Sequence, residues 1–256
     1  MPPTTPFEPV GHESVAQVVV QQIEDMIAAG ILKEGRKLPS ERDLADALDV
    51  SRPKLREALK TLEERGLVQV RHGEGTFIAP LTGKAMSDAL LQLYGRHDAA
   101  FFDYLEYRRE QEGFAARLAA ARATRSDRER LKQVVSQLKS AWQAGDPKDS
   151  READFNLHST IVDASHNATL IHMMASIYDL TKQGVFYNRS YLRTIDGTGE
   201  LLLQQHINLA DAILSGSADD AEKAAKDHMD FVEESFRLGR ERDRREHLAE
   251  KRLLLS

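Results

Sequence analysis

The chain has 256 residues, enough for two domains of about 80 and about 170 residues. It carries 35 Lys+Arg against 41 Asp+Glu, a formal net charge of −6, which argues against sequence-blind, charge-driven binding to nucleic acid. It has no cysteine, so disulfides, thiolate metal sites and thiol nucleophiles are excluded.

The segment Met1 to Pro9 is rich in Pro and Thr and lacks a cationic stretch followed by an apolar one. It is expected as part of a flexible arm over 1–13 rather than a signal peptide. No apolar run approaches the roughly 18 residues of a transmembrane helix, so a soluble cytoplasmic protein without a membrane partner is expected.

Two short amphipathic helices are predicted back to back after Lys37. Ser40 caps the first, with Asp43 three residues on as a variant of the capping box. Leu44, Ala45, Ala47 and Leu48 then share one face. Asp49 and Val50 make the break, and Ser51 caps the second helix. Pro53 is tolerated there because first-turn N–H groups have no intrahelical partner. Leu55, Ala58, Leu59 and Leu62 form its apolar stripe, and Gly66 ends it. Arg52, Lys54 and Arg56 project from its start, where base edges are met when such a helix enters a major groove.

Two β-prone runs follow, Leu67 to Arg71 and Thr76 to Ala79, with the tight turn His72-Gly73-Glu74-Gly75 between them. A hairpin directly after a recognition helix is a wing, whose tip can reach the adjacent minor groove. Residues 1–82 hold 10 Lys+Arg and 13 Asp+Glu, yet residues 51–73 hold 6 cations and 3 acids. The basic face is therefore local and patterned.

Residues 81–85 read as a linker, and beyond it the chain is predicted helical throughout. The helices fall over 86–94, 98–123, 127–143, 149–164, 168–188, 198–215 and 218–246, with short connections that imply an antiparallel bundle. A charged tail over 237–256, with 7 Lys+Arg and 4 Asp+Glu, is expected to fray into solvent. Asp154 and His158 are four apart and share a helix face. With His206 and His228 from two later helices they would give a divalent-metal site of one carboxylate and three imidazoles. The sequence alone leaves a chance spacing and ordinary hydrogen-bonded histidines as the alternative. His12, His72, His97, His166, His172 and His247 fall outside the set, with His166 and His172 expected to cap a helix or face solvent.

Residues 14–80 resemble the winged-helix domain of the GntR family of bacterial regulators. The resemblance is carried by Leu38-Pro39-Ser40-Glu41-Arg42-Asp43-Leu44-Ala45, Val50-Ser51-Arg52-Pro53-Lys54-Leu55-Arg56-Glu57-Ala58-Leu59, Leu62-Glu63-Glu64-Arg65-Gly66-Leu67 and Gly73-Glu74-Gly75-Thr76-Phe77. It implies that Arg42 meets phosphate or a base, that Arg52 and Arg56 read guanines, that Ser51 and Lys54 hold the DNA backbone with Pro53 in the same DNA-binding set, and that His72 and Gly73 enter the minor groove. Residues 86–236 resemble the FCD effector domain of the FadR branch. The carriers are Tyr107-Arg108-Arg109-Glu110-Gln111-Glu112, Leu118-Ala119-Ala120, Asp154-Phe155-Asn156-Leu157-His158 and Ala164-Ser165-His166-Asn167, together with the segments holding His206 and His228. In metal-binding members the four positions Asp154, His158, His206 and His228 are Asp, His, His and His, and all four are intact here. The implied fold is mainly α, a winged helix-turn-helix followed by an FCD-like all-α bundle.

The resemblance further implies a homodimeric regulator, on the nucleoid when bound, that reads a palindromic double-stranded DNA operator with a GT…AC type of core. Its members that respond to glycolate, lactate or pyruvate are the most similar, which points to a small 2-hydroxy or 2-oxo acid effector. A divalent metal ion, with zinc the first choice and nickel or manganese the alternatives, would bind that acid. Arg108 would clamp its charge, and the competing role for Arg108 is a salt bridge to Glu112. Two other readings stand beside this one. The metal is purely structural and DNA binding constitutive, or the second domain is a metal-dependent hydrolase or lyase.

Overall fold

The computed structural model describes residues 14–81, 87, 90, 97–182 and 198–253. The arm over 1–13, the linker past Leu81, most of the helix expected over 86–94, residues 183–188 of the helix expected over 168–188, and residues 254–256 lie outside them. The chain divides into two units, residues 1–83 and 84–256.

The first unit opens with a helix that the sequence reading did not single out, α1 (Val15–Ala28). Ser14 caps it by accepting from the Gln17 N–H at 3.1 Å, and Ala16, Val19, Val20, Ile23 and Ile27 face inward at helical spacing. It packs on α3 (Arg52–Glu64), which also contacts α2 (Glu41–Ala47). Leu55, Ala58 and Leu62 are fully buried and Leu59 nearly so, as the stripe predicts. Ala45 is buried and Leu44 and Leu48 half-buried, whereas Ala47 is exposed, because α2 is only two turns long and presents a narrow face. Asp49 takes φ +51°, and the Val50 N–H then returns to the Ala45 carbonyl at 3.0 Å, which sets the sharp turn between the two helices.

Gly66, at φ +72°, ends α3 in the left-handed conformation that disfavours a side chain. Strands β1 (Val68–Arg71) and β2 (Gly75–Ile78) then pair antiparallel, with Val68 opposite Ile78 and Arg71 opposite Gly75. Leu38 donates its N–H to the Thr76 carbonyl at 2.8 Å, and Ile78 donates to the Arg36 carbonyl at 2.9 Å. These bonds tie the base of the hairpin to the segment before α2.

The second unit is a helical bundle: α4 (Asp98–Arg122), α5 (Arg125–Ala144), α6 (Pro147–Ala164), α7 (Ala168–Lys182), α8 (Thr198–Ser215) and α9 (Ala218–Leu253). The long helix α4 packs against α6, α8 and α9. Ala115, Ala116, Ala119 and Ala120 on α4, and Ala221 and Ala225 on α9, are all buried, and such small residues let the two backbones approach closely. Thr124 and Asp127 form a complete capping box at the start of α5. Gly145 at φ +76° stops α5, and Asp146 caps α6 at once, so the two helices run back along one another. A Cβ on Gly199 would stand 2.4 Å from Trp142 Cη2, so the start of α8 seats against the indole at the end of α5.

The described helices follow the predicted spans within a few residues except at the C-terminus. There α9 continues unbroken to Leu253. Phe236 and Gly239 are buried, the Arg240 guanidinium lies 4.8 Å from the Phe101 ring centroid, and Arg245 pairs with Glu241 at 2.9 Å. These contacts hold the helix as far as Arg240, and from Arg242 on every described residue is exposed.

Candidate functional site

Two groups of side chains carry the chemistry, one in each unit. In the first unit, Arg42, Ser51, Arg52, Pro53, Lys54, Arg56, His72 and Gly73 are all exposed. The first turns of α3 present Arg52, Lys54 and Arg56 opposite the buried Leu55 and Leu59, so the fold leaves the cations outward. Glu41, at the start of α2, holds two of them. Arg56 donates from Nε to its carboxylate at 2.7 Å, and Arg52 Nη2 lies 3.9 Å from the same oxygen. Lys54 pairs with Glu57 at 2.8 Å, and Arg42 lies 3.9 Å from Asp46. These are exposed pairs that a polyanion can displace, since each contributes little in water.

Ser40 accepts from the Asp43 N–H at 3.2 Å, as predicted, but its hydroxyl donates to the Asp43 carboxylate at 2.7 Å. The reciprocal backbone bond of a full capping box is thereby replaced. Ser51 stands at the N-cap of α3 without the side-chain capping bond the sequence implies. Pro53 in the first turn has no N–H to offer, but the Lys54 N–H, the counterpart of the donor that Ser14 and Ser40 accept from, also receives no bond from the Ser51 side chain. At the hairpin tip Gly73 takes φ +76° with no heavy atom within 4 Å of a built Cβ, and Arg71 stacks 4.3 Å from the Phe77 ring centroid.

In the second unit, His158 on α6, His206 on α8 and His228 on α9 converge, each buried, with one ligand nitrogen apiece within 4.8 Å of the others. His158 Nε2 and His206 Nε2 are 3.3 Å apart. Asp154, one turn before His158, brings Oδ1 to 3.0 Å from His206 Nε2 and 3.6 Å from His158 Nε2. Two neighbouring nitrogens at 2.0–2.1 Å from one zinc ion stand roughly 2.8–3.4 Å apart, so the spacing fits a shared ion. The four residues expected as ligands are thus near neighbours, and the donor set of imidazoles with one carboxylate suits a divalent metal.

The outer nitrogens of two of these rings are occupied. His158 Nδ1 lies 2.5 Å from Glu112 Oε2, and His228 Nδ1 lies 3.1 Å from Gln205 Oε1. Such partners fix which nitrogen carries the proton and turn the other toward the centre. Glu112 and Arg108 are both about 5% exposed and form a buried pair on α4, with Arg108 donating from Nε and Nη2 to Glu112 Oε1. The competing role for Arg108 is therefore realised. Burial opposes ionisation of Glu112, but the neighbouring His158 and Arg108 outweigh it and hold the carboxyl far below its ordinary range. The Arg108 guanidinium lies 6.0 Å and 5.6 Å from the ring centroids of Tyr104 and Tyr178. Burial, and then the Glu112 charge, push the Tyr178 hydroxyl well above its usual pKa.

Of the two roles expected for His166, capping a helix or facing solvent, the structure has the second, for its side chain is exposed. His166 takes φ +48° in the turn after α6, and its Nε2 lies 2.8 Å from Asp127 Oδ2. Asn167 is the residue that caps α7, accepting from the Leu170 N–H at 3.1 Å. Sequence reasoning weighed Glu112 only as a partner for Arg108 and did not single out Gln205 or Glu41. The sole sequence signal for Glu112 is its position one helical turn after Arg108.

A winged helix-turn-helix with an outward cationic recognition helix, followed by a helical bundle around a polar centre, defines a DNA-binding transcription regulator with a second, all-α domain. Residues 15–78 match the bacterial regulatory proteins of the gntR family, and residues 103–231 match the FCD domain. The chain belongs to the GntR family, in the group that carries an FCD domain. It is 34% identical to the "Putative L-lactate dehydrogenase operon regulatory protein" of Escherichia coli (strain K12), over 84% of this chain and 83% of that one. It is 30% identical to the "Glc operon transcriptional activator" of the same organism, over 87% and 89%. Among solved structures, "Streptococcus agalactiae GntR" matches with a TM-score of 0.50 at 25% identity, covering 86% of this chain and 99% of that one. These similar proteins are transcription regulators rather than enzymes. Among the described residues, no helix is long and apolar enough to cross a membrane.

Proposed function

We propose that this regulator senses a small 2-hydroxy or 2-oxo acid at a divalent-metal centre held by Asp154, His158, His206 and His228, and that the acid changes its affinity for a palindromic operator. The convergence of three buried imidazoles with one adjacent carboxylate carries this reading. An ion that accepts ligands beyond these four side chains would take the carboxylate of the acid together with its α-oxygen. Zinc is the first choice for a set of imidazoles with one carboxylate, with nickel and manganese as alternatives. Arg108, one turn before Glu112, would take the charge of the acid. The lactate operon named for one relative supports a 2-hydroxy acid.

On the DNA side, Arg52 and Arg56 read guanine edges while Arg42, Ser51, Pro53 and Lys54 follow the phosphates. His72 and Gly73 enter the minor groove. Two copies of the chain read two half-sites, since operator symmetry mirrors protein symmetry. The acid acts by binding one arrangement of the dimer better than another.

Calorimetric titration of zinc-loaded and zinc-stripped protein with L-lactate, glycolate and pyruvate tests the sensor. One of these acids is expected to bind the loaded form at least tenfold more tightly than the stripped form. Equal binding to both forms would leave the metal purely structural.

A further inference from the structure

Glu112 faces two functional groups at once, and this arrangement has a consequence for both. Its Oε1 accepts from Arg108 and its Oε2 meets His158 Nδ1 at 2.5 Å, with all three side chains buried. Glu112 sits on α4 and His158 on α6, so one carboxylate bridges two helices. With Nδ1 engaged, the His158 ring is turned so that Nε2 points at His206 Nε2 and Asp154. The same carboxylate takes Nε and Nη2 of the guanidinium that an incoming acid would need.

We infer that Glu112 is a positioning residue for the metal centre and, at the same time, an internal competitor for the effector's carboxylate at Arg108. This inference rests on the sensor reading above. Its physical content is a pair of opposite signs. A carboxylate behind a ligand imidazole fixes its tautomer and raises its basicity, and losing such a partner lowers metal affinity roughly 10–100-fold. A carboxylate paired with Arg108 must instead be displaced or shared when an acid binds, so weakening that pair favours the acid. A neutral amide in its place gives a weaker bond to a guanidinium than a carboxylate does. A merely structural residue would lower both affinities together.

The test is the full-length Glu112→Gln variant beside wild type, titrated with zinc against a competing chelator and then, at saturating zinc, with L-lactate, glycolate and pyruvate. Zinc binding is expected to weaken roughly 10–100-fold. Affinity for the acid that wild type binds is expected to rise on the order of fivefold. Unchanged zinc affinity, or loss of acid affinity alongside zinc, would overturn the inference while leaving a metal centre in place. Wild type that takes up no zinc would overturn the sensor reading and this inference with it. Should the variant fail to fold, the imidazole nitrogen resonances of zinc-loaded wild type decide. His158 is expected to carry its proton on Nδ1 and the metal on Nε2, and the reverse arrangement would overturn the assignment.

Discussion

Replacing Arg56 by alanine is expected to abolish sequence-specific operator binding while leaving the fold and the metal centre intact. The side chain is 62% exposed and its only described ion pair is with Glu41, so truncation opens no hole in a core held by Leu55, Ala58, Leu59 and Leu62. An arginine bidentate to guanine discriminates against the wrong base by roughly 1–3 kcal/mol. Used once in each of two half-sites, it contributes about 2–6 kcal/mol, a specificity ratio of roughly 30- to 10⁴-fold. Affinity for unrelated duplex should fall far less, because that binding is carried by phosphate contacts. Anisotropy titrations against operator and scrambled duplex at fixed salt measure the ratio, and an unchanged ratio would remove Arg56 from the readout set.

The second large effect is expected from His206→Ala. His206 is 2% exposed on α8, with Nε2 within 3.3 Å of His158 Nε2 and 3.0 Å of Asp154 Oδ1. With His206 a ligand as proposed, its loss removes a donor to the ion rather than a supporting contact. Zinc affinity should fall by more than the roughly 100-fold upper range for losing a supporting partner. Acid affinity should fall with it. DNA binding by the metal-free protein should stay within a few-fold of wild type, because the recognition helix belongs to the other unit. Chelator competition and acid titration on one preparation separate the outcomes, and unaltered acid affinity would make the metal structural only.

Much of the fold was legible because helical periodicity and capping are local. The stripe Leu55, Ala58, Leu59, Leu62 and the Gly66 stop could be read directly, as could the hairpin around Gly73. Ser14 with Val19, Val20, Ile23 and Ile27 carries the same kind of local signal for α1. A local rule failed at Ser51, which occupies the N-cap position of α3 yet makes no side-chain capping bond. The C-terminal helix runs past its expected end at 246 to Leu253 over exposed residues, and the packing of Phe236 and Arg240 against Phe101 on distant α4 is likewise something composition cannot show.

The candidate metal set followed the same division. Asp154 and His158 share a helix face by spacing alone, whereas the approach of His206 and His228 was implied only by the family resemblance. The partners on the outer nitrogens were not legible. Glu112 lies 46 residues from His158 and Gln205 lies 23 from His228, and only packing of α4, α6, α8 and α9 joins them.

The most direct measurement is binding of the zinc-loaded protein to DNA from upstream of its own gene, with and without L-lactate, glycolate or pyruvate, at two salt concentrations. The account predicts specific binding at both salts that one acid shifts at least several-fold, with the shift lost on stripping zinc. Specific binding that no acid alters, with or without zinc, would contradict it.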